Sequence, residues 1–114
     1  MNVFIILIRS IPVEKIKPHY LLSAVQDEVT RRGAAAFTLT ARRNGLAMGL
    51  TVAQMVDVVR SLTRGDFYKS MTARADHRVW QDVYHAATPA GKVAYIKITG
   101  QGEGMPPVIQ FKEL

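Results

Sequence analysis

The spacing of apolar residues changes at Gly65, and this change constrains the fold more than any other feature of the sequence. Before Gly65, apolar residues recur every three or four positions, which is typical of amphipathic helices. After it, they alternate with polar residues, which is typical of strands with one buried face. Helices followed by a run of neighbouring strands predict an α+β fold, with N-terminal helices packed on one face of an antiparallel sheet.

The first predicted helix follows Pro12 and Pro18 and has a narrow apolar stripe. Arg31 and Arg32 place cations in its last turn, and Gly33 is suited to the C-cap. Residues 34–37 are then expected to form a brief extended piece. The stripe consists of Leu21, Leu22, Val25 and Val29.

Two further helices are predicted before Gly65. The one at residues 38–48 has the weaker pattern and contains Gly45, which is unfavourable within a helix. The other begins with Thr51 and Gln54 at the spacing of a capping box. Its continuous apolar stripe consists of Val52, Met55, Val56, Val59 and Leu62.

Four strands are predicted in the second half, separated by segments rich in turn-forming residues. The glycine-rich segment 100–104 lies between two strands and does not open a helix. We therefore interpret it as a flexible hairpin loop in preference to a phosphate cradle. The predicted strands are 66–72, 78–85, 92–99 and 107–113.

A chain of 114 residues is expected to form one domain with a single hydrophobic core. It has no cysteine, which excludes disulfides and cysteine-ligated metals and fits a cytoplasmic protein. The apolar run at residues 1–8 is too short to span a bilayer and lacks the features of a secretory signal. A β-strand or a disordered leader is expected there, and no membrane association.

The net charge of +6 favours an anionic partner, although ordinary solubilising charge is the simpler explanation. Strand alternation refines this point, because it places most of the strand cations on one side of the sheet. The other side is apolar and is expected to contact the helices. A polar face of an antiparallel sheet often only faces water, but this one combines cations with a tyrosine. Its members are Gln81, Tyr95, Lys97, Gln110 and Lys112.

Such a face is suited to cleavage of RNA by internal transfer. That reaction needs a 2′-hydroxyl that is deprotonated and in line with the phosphate, charge stabilisation on the phosphoryl oxygens, and a proton for the leaving 5′-oxygen. Lysines bind phosphate, a tyrosine can position or donate a proton, and a glutamine can hold the RNA. Many RNA-binding sheets would carry the same residue types.

The histidines provide weaker signals. His77 lies in a turn beside Asp76, where a surface role is favoured over catalysis. His85 shares the side of Gln81 and is a candidate for RNA contact, whereas His19 is expected at the surface or as a helix cap. The three histidines lack metal-ligand spacing and the acidic residues are scattered, so neither a metal nor another cofactor is predicted.

Several ordered blocks resemble the signature of the motility quorum-sensing regulator (MqsR-type) toxins. They are DFYKSM at 66–71, DH at 76–77, WQDVY at 80–84, YIKIT at 95–99 and FKE at 111–113. The resemblance runs from about residue 17 to the C-terminus, which makes residues 1–16 an N-terminal extension of a single domain 1–114. It implies a RelE-like fold and a type II toxin that cleaves mRNA at GC-containing triplets, without a metal or the ribosome, and so inhibits translation and growth. It also implies a cognate antitoxin with a zinc-binding part and a helix-turn-helix part.

The resemblance also implies site residues. The family's catalytic positions correspond here to Lys69, Gln81, Tyr95 and Lys112. Its RNA-recognition positions correspond to Tyr68, Met71 and His85, where arginine would be expected in place of His85. Lys97 is added as an RNA-binding candidate because it lies on the polar face.

Two other functions remain open from the sequence. The same fold could serve as a non-catalytic RNA-binding or regulatory module, or its basic face could dock an acidic protein. The residues at the catalytic positions favour the enzyme over both.

Overall fold

A computed structural model describes residues 13–114. It confirms the α+β prediction, with helices preceding an antiparallel sheet. The helices are α1 (Leu22–Arg32), α2 (Leu39–Ala47) and α3 (Val52–Arg60), and the strands are β1 (Glu14–Lys15), β2 (Phe67–Thr72), β3 (Trp80–Ala87), β4 (Val93–Thr99) and β5 (Val108–Glu113). The interpretation of residues 1–8 lies outside the described residues. Within 13–114, no helix has the length and apolar character needed to cross a membrane.

The five strands are arranged in chain order, and each pairs with the next in antiparallel orientation. The four predicted strands are all present, and β3 begins two residues later than predicted, at Trp80. The added strand β1 comes from the predicted N-terminal extension and pairs with β2, with Glu14 opposite Met71 and Lys15 opposite Ser70.

The core lies between the helices and one face of the sheet, as strand alternation predicts. Val25 and Val29 of α1 and Met55 and Val59 of α3 are buried there. Both ends of α3 are capped: the predicted capping box is present at its start, and Gln26 donates to the carbonyls of residues 59, 60 and 62, in and just after its last turn. The sheet contributes Tyr84, Ala94, Ile96, Ile98, Ile109 and Phe111.

Helix α2 lies along the outer edge of β5. Thr38 caps its first turn and donates its N–H to the Ile109 carbonyl, and Asn44 donates to the Phe111 carbonyl. The unfavourable Gly45 is explained by packing, because a Cβ at this position would overlap Met55. The helix therefore covers a sheet edge that would otherwise present unpaired backbone groups.

Two local expectations were wrong. Residues 34–36 do not extend but continue a short 3₁₀ helix, Gly33–Ala36, and only Phe37 pairs with a strand. Strand alternation places Trp80 on the same side as Tyr84 and so predicts it in the core, but the structure leaves it half-buried outside the core. Its ring stacks on His19 at 5.4 Å and lies 4.0 Å from the Lys15 ammonium, so it packs on the segment before α1 and not on the helices.

Candidate active site

The sheet face that points away from α1 and α3, here called the open face, carries every predicted site residue. Cross-strand pairing arranges the side chains around the predicted site residues in three rows. The middle row runs Lys69, Val83, Lys97, Gln110. The rows on either side are Met71, Gln81, Thr99, Val108 and Tyr68, His85, Tyr95, Lys112, with Tyr68 placed beside His85 by ring stacking.

A β-bulge explains how Tyr68 and Lys69 both reach the open face. The pairing of β2 with β3 shifts between Phe67 and Lys69, so that β2 carries one extra residue. Phe67 packs on Tyr84 in the core, whereas Tyr68 and Lys69 both point outward. Simple alternation would place Phe67 on the same side as Lys69, and the bulge removes this conflict.

Lys69 is held by an acidic residue that the sequence analysis missed. Its ammonium lies 2.6 Å from a Glu14 carboxylate oxygen, and this hydrogen bond raises the pKa of Lys69 above its usual value. Lys69 is therefore firmly cationic at neutral pH. No sequence motif marks Glu14, because its place depends on the pairing of β1 with β2.

Tyr95 and Lys112 are direct cross-strand neighbours, and the Lys112 ammonium lies 5.0 Å from the centre of the Tyr95 ring. Burial raises the pKa of the Tyr95 phenol, and the nearby Lys69 opposes this shift. Tyr95 therefore keeps its proton at neutral pH and can donate it.

Gln81 lies on the same face but two rows from Tyr95. Its amide donates to Thr99, its partner on β4, at 3.2 Å. Two rows correspond to about 13 Å along a strand, so the two side chains do not touch. The structure thus brings Tyr95 and Lys112 into contact and leaves Gln81 at the far end, beside Met71.

The predicted RNA-recognition residues differ in their surroundings. Tyr68 is exposed and stacks on His85, with ring centres 4.5 Å apart, and His85 lies 5.7 Å from the Tyr95 ring. The buried His85 Nε2 has no hydrogen-bond partner among the described residues. These three rings form a continuous aromatic strip, a surface on which nucleic-acid bases can stack.

Two grooves cross the open face and meet at Lys97. One, of about 230 Å³, lies between the N-terminal half of α2 and the strands; we call it the α2 groove. The other, of about 630 Å³, lies above β2 and β3; we call it the β2 groove. The α2 groove contains Thr38, Thr40, Asn44, Tyr95, Lys97 and Lys112, and the β2 groove contains Glu14, Lys69, Met71, Arg74, Gln81 and Lys97.

Asp82, a second residue that the sequence analysis did not single out, lies on the core side of β3, opposite the open face. Asp82 is fully buried, and its carboxylate accepts N–H bonds from His19 and Tyr20 at 2.8–3.0 Å. It thereby ties the segment before α1 to the central strand β3. The available signal was its position in WQDVY, where alternation places an acidic residue on the core side between Trp80 and Tyr84.

The remaining candidates lie away from the open face. Asp76 pairs with Arg78 at 3.0 Å and does not orient His77, which is exposed. The glycine-rich segment 100–104 joins β4 to β5, as predicted for a hairpin loop. Among residues 13–114, no three His, Asp or Glu side chains are close enough together to hold a metal ion.

Residues 17–113 match the protein family described as "Motility quorum-sensing regulator, toxin of MqsA". The chain belongs to this family. It is also 39% identical over 101 residues to the mRNA interferase toxin MqsR of Escherichia coli (strain K12), an alignment that covers 89% of this chain and 99% of that protein. The family predicted from the sequence blocks is thus confirmed. Glu14 lies just outside residues 17–113, which match the family, and its contact with Lys69 comes from strand β1.

Proposed function

We propose that this protein is the toxin of a type II toxin–antitoxin pair and an endoribonuclease that cleaves mRNA by attack of a 2′-hydroxyl on the adjacent phosphate. Membership of the toxin family and the likeness to an mRNA interferase support this function. The observation that carries it is the open face, where four strands contribute Lys69, Gln81, Tyr95 and Lys112 to one cationic surface crossed by two grooves.

Each residue has a role that follows from its surroundings. Lys69 and Lys112 lie at opposite sides of the face and bind the phosphate backbone, stabilising the charge that develops on the phosphoryl oxygens. Tyr95 keeps its proton and donates it to the leaving 5′-oxygen. Gln81, fixed by Thr99, positions the RNA in the β2 groove. The aromatic strip of Tyr68, His85 and Tyr95 stacks bases.

The products of this reaction are a 2′,3′-cyclic phosphate and a 5′-hydroxyl end. Cleavage is proposed to be independent of the ribosome and of metal ions, to prefer GC-containing triplets and to take place in the cytoplasm. The partner that neutralises it is a cognate antitoxin of the MqsA type, for which we propose a zinc-binding part and a helix-turn-helix part.

A defined RNA incubated with the purified protein in EDTA tests the proposal. We expect cleavage at discrete positions, with the stated end groups identified by end-specific labelling. Tight, salt-sensitive binding without cleavage would instead establish a non-catalytic RNA-binding module. Absence of RNA binding would favour a basic surface that docks an acidic protein.

The contact of Glu14 with Lys69 leads to a separate expectation for the variant Glu14→Gln. The carboxylate competes with phosphate for the Lys69 ammonium, so its neutralisation should strengthen RNA binding. An exposed ion pair contributes about 1 kcal/mol. Its removal in Glu14→Gln should therefore lower the KM or Kd for RNA by about fivefold. Fluorescence anisotropy with a labelled RNA measures it.

Glu28→Gln is the matched control, because Glu28 also forms an ion pair at 2.6 Å, with Arg31 on α1. It makes the same change in net charge at a place away from the open face. Equal gains in affinity for both variants would show that only net charge matters. A loss of affinity for Glu14→Gln would show that Glu14 itself contributes to binding.

A further inference from the structure

Lys97 occupies the centre of the open face. Its cross-strand partners are Val83 and Gln110, and its neighbours along β4 on this face are Tyr95 and Thr99. Gln81 and Lys112 lie diagonally from it, and Lys69 lies one strand beyond Val83. All four proposed catalytic residues therefore surround this one side chain.

The residue beneath Lys97 on the open face is apolar and buried. Val83 is fully buried although it lies on the open face and outside the helix-side core, which means that neighbouring side chains of the open face cover it. Lys97 is itself half-buried and borders both grooves. An RNA strand that passes from one groove to the other must cross its ammonium group.

Lys97 differs from Lys69 in its electrostatic surroundings. Lys69 has Glu14 as a counter-ion, whereas Lys97 forms no ion pair within residues 13–114. Burial and the neighbouring Lys112 both lower the pKa of Lys97. The titratable or charged groups that face it are Lys69, Arg74, Glu14, His85, Tyr95 and Lys112, and cations outnumber the single carboxylate.

Resting on the RNA-cleaving function proposed above, we propose that Lys97 is the general base that removes the proton from the attacking 2′-hydroxyl. The neutral Lys97 amine accepts this proton as O2′ forms its bond to phosphorus. The bond from phosphorus to O5′ breaks, and O5′ takes the phenolic proton of Tyr95. Proton exchange with water then returns Lys97 to the amine and Tyr95 to the phenol.

The neighbouring groups are less suited to this step. Lys69 is kept protonated by Glu14, and Tyr95 has a raised pKa that suits an acid. Lys112 is exposed at the end of its row. Because Lys69 and Lys112 bind the phosphate, they offset its charge, which would otherwise favour the protonated form of Lys97.

The test compares Lys97→Arg and Lys97→Met, both of which keep a stem long enough to cover Val83. A guanidinium stays protonated and a thioether has no basic nitrogen, so kcat should fall by about 10²- to 10⁴-fold in both variants. The wild-type kcat should rise with pH up to the Lys97 pKa, below the usual lysine value, and this rise should be absent from both variants. Lys97→Arg should bind an RNA with a 2′-deoxy scissile nucleotide as tightly as the wild type does.

The outcomes separate the two proposals. If the wild type cleaves RNA and Lys97→Arg retains its kcat and pH profile, Lys97 only binds phosphate and the general-base role is wrong. If the wild type does not cleave RNA, the proposed function itself is wrong. Thermal melting checks that both variants are folded. We expect Tm values close to that of the wild type, because Lys97 forms no ion pair within the described residues that the substitutions could remove.

Discussion

Lys69→Ala and Lys112→Ala should each abolish growth arrest and lower kcat/KM for RNA cleavage by about 10²- to 10³-fold, the usual effect of removing one group that stabilises transition-state charge. Stability should change little. Lys112 is exposed, and Lys69 loses only a partly exposed ion pair with Glu14, worth about 1 kcal/mol or less. Single-turnover cleavage of a defined RNA and thermal melting measure the two effects separately.

Lys92→Ala provides the control for both variants. Lys92 forms an ion pair with Glu113 at 3.1 Å. Lys92→Ala therefore removes one positive charge, as the other two variants do, together with an ion pair like that of Lys69. It should leave the cleavage rate within about twofold of the wild type, since it lies outside both grooves. If Lys69→Ala retained full activity, the assignment of Lys69 to phosphate binding would be wrong. If both lysine variants failed to fold, their placement on the open face would be wrong.

Asp82→Ala should cause the largest loss of stability. The substitution leaves the His19 and Tyr20 N–H groups without their acceptor, and hydrogen bonds to a charged group contribute about 1.5–3 kcal/mol. We expect a loss of about 3 kcal/mol, equivalent to a decrease in Tm of about 12 °C for a chain of this length. Urea denaturation and calorimetry measure it.

Two further variants make this test specific. Asp82→Asn keeps one acceptor oxygen and should lose about half as much stability. Asp57→Ala removes an exposed carboxylate whose pair with Arg60 is 3.8 Å long, and should change stability by less than about 0.5 kcal/mol. Asp82 lies on the core side of β3, so its variants should still cleave RNA well below their Tm. A loss of cleavage in a folded Asp82→Asn protein would contradict a purely structural role.

The sequence predicted the helices, the strands and the two faces of the sheet because each depends on local periodicity. Alternation alone placed Gln81, Tyr95 and Lys112 on one side, and the pairing of β3, β4 and β5 has no irregularity that would disturb it. The family resemblance then assigned them roles, which stay predictions until variants are measured.

Other features depend on contacts between distant parts of the chain and could not be predicted in this way. Glu14 reaches Lys69 only because β1 pairs with β2, 55 residues away in sequence. Asp82 is satisfied by backbone groups more than 60 residues before it. The same limitation applies to Lys97, which alternation placed on the correct face without showing that it lies at the centre.

Because of the bulge in β2, Tyr68 is an extra residue that the pairing of the strand does not require. Deletion of Tyr68 would leave Phe67 facing the core and Lys69 facing outward in regular alternation, so every other side chain would keep its side of the sheet. Deletion of Ser70, in contrast, would move the side chains on one side of the deletion to the opposite face of the sheet. A stacking residue at this position can therefore be gained or lost in a single step, and RNA preference can change while the cleavage machinery stays in place.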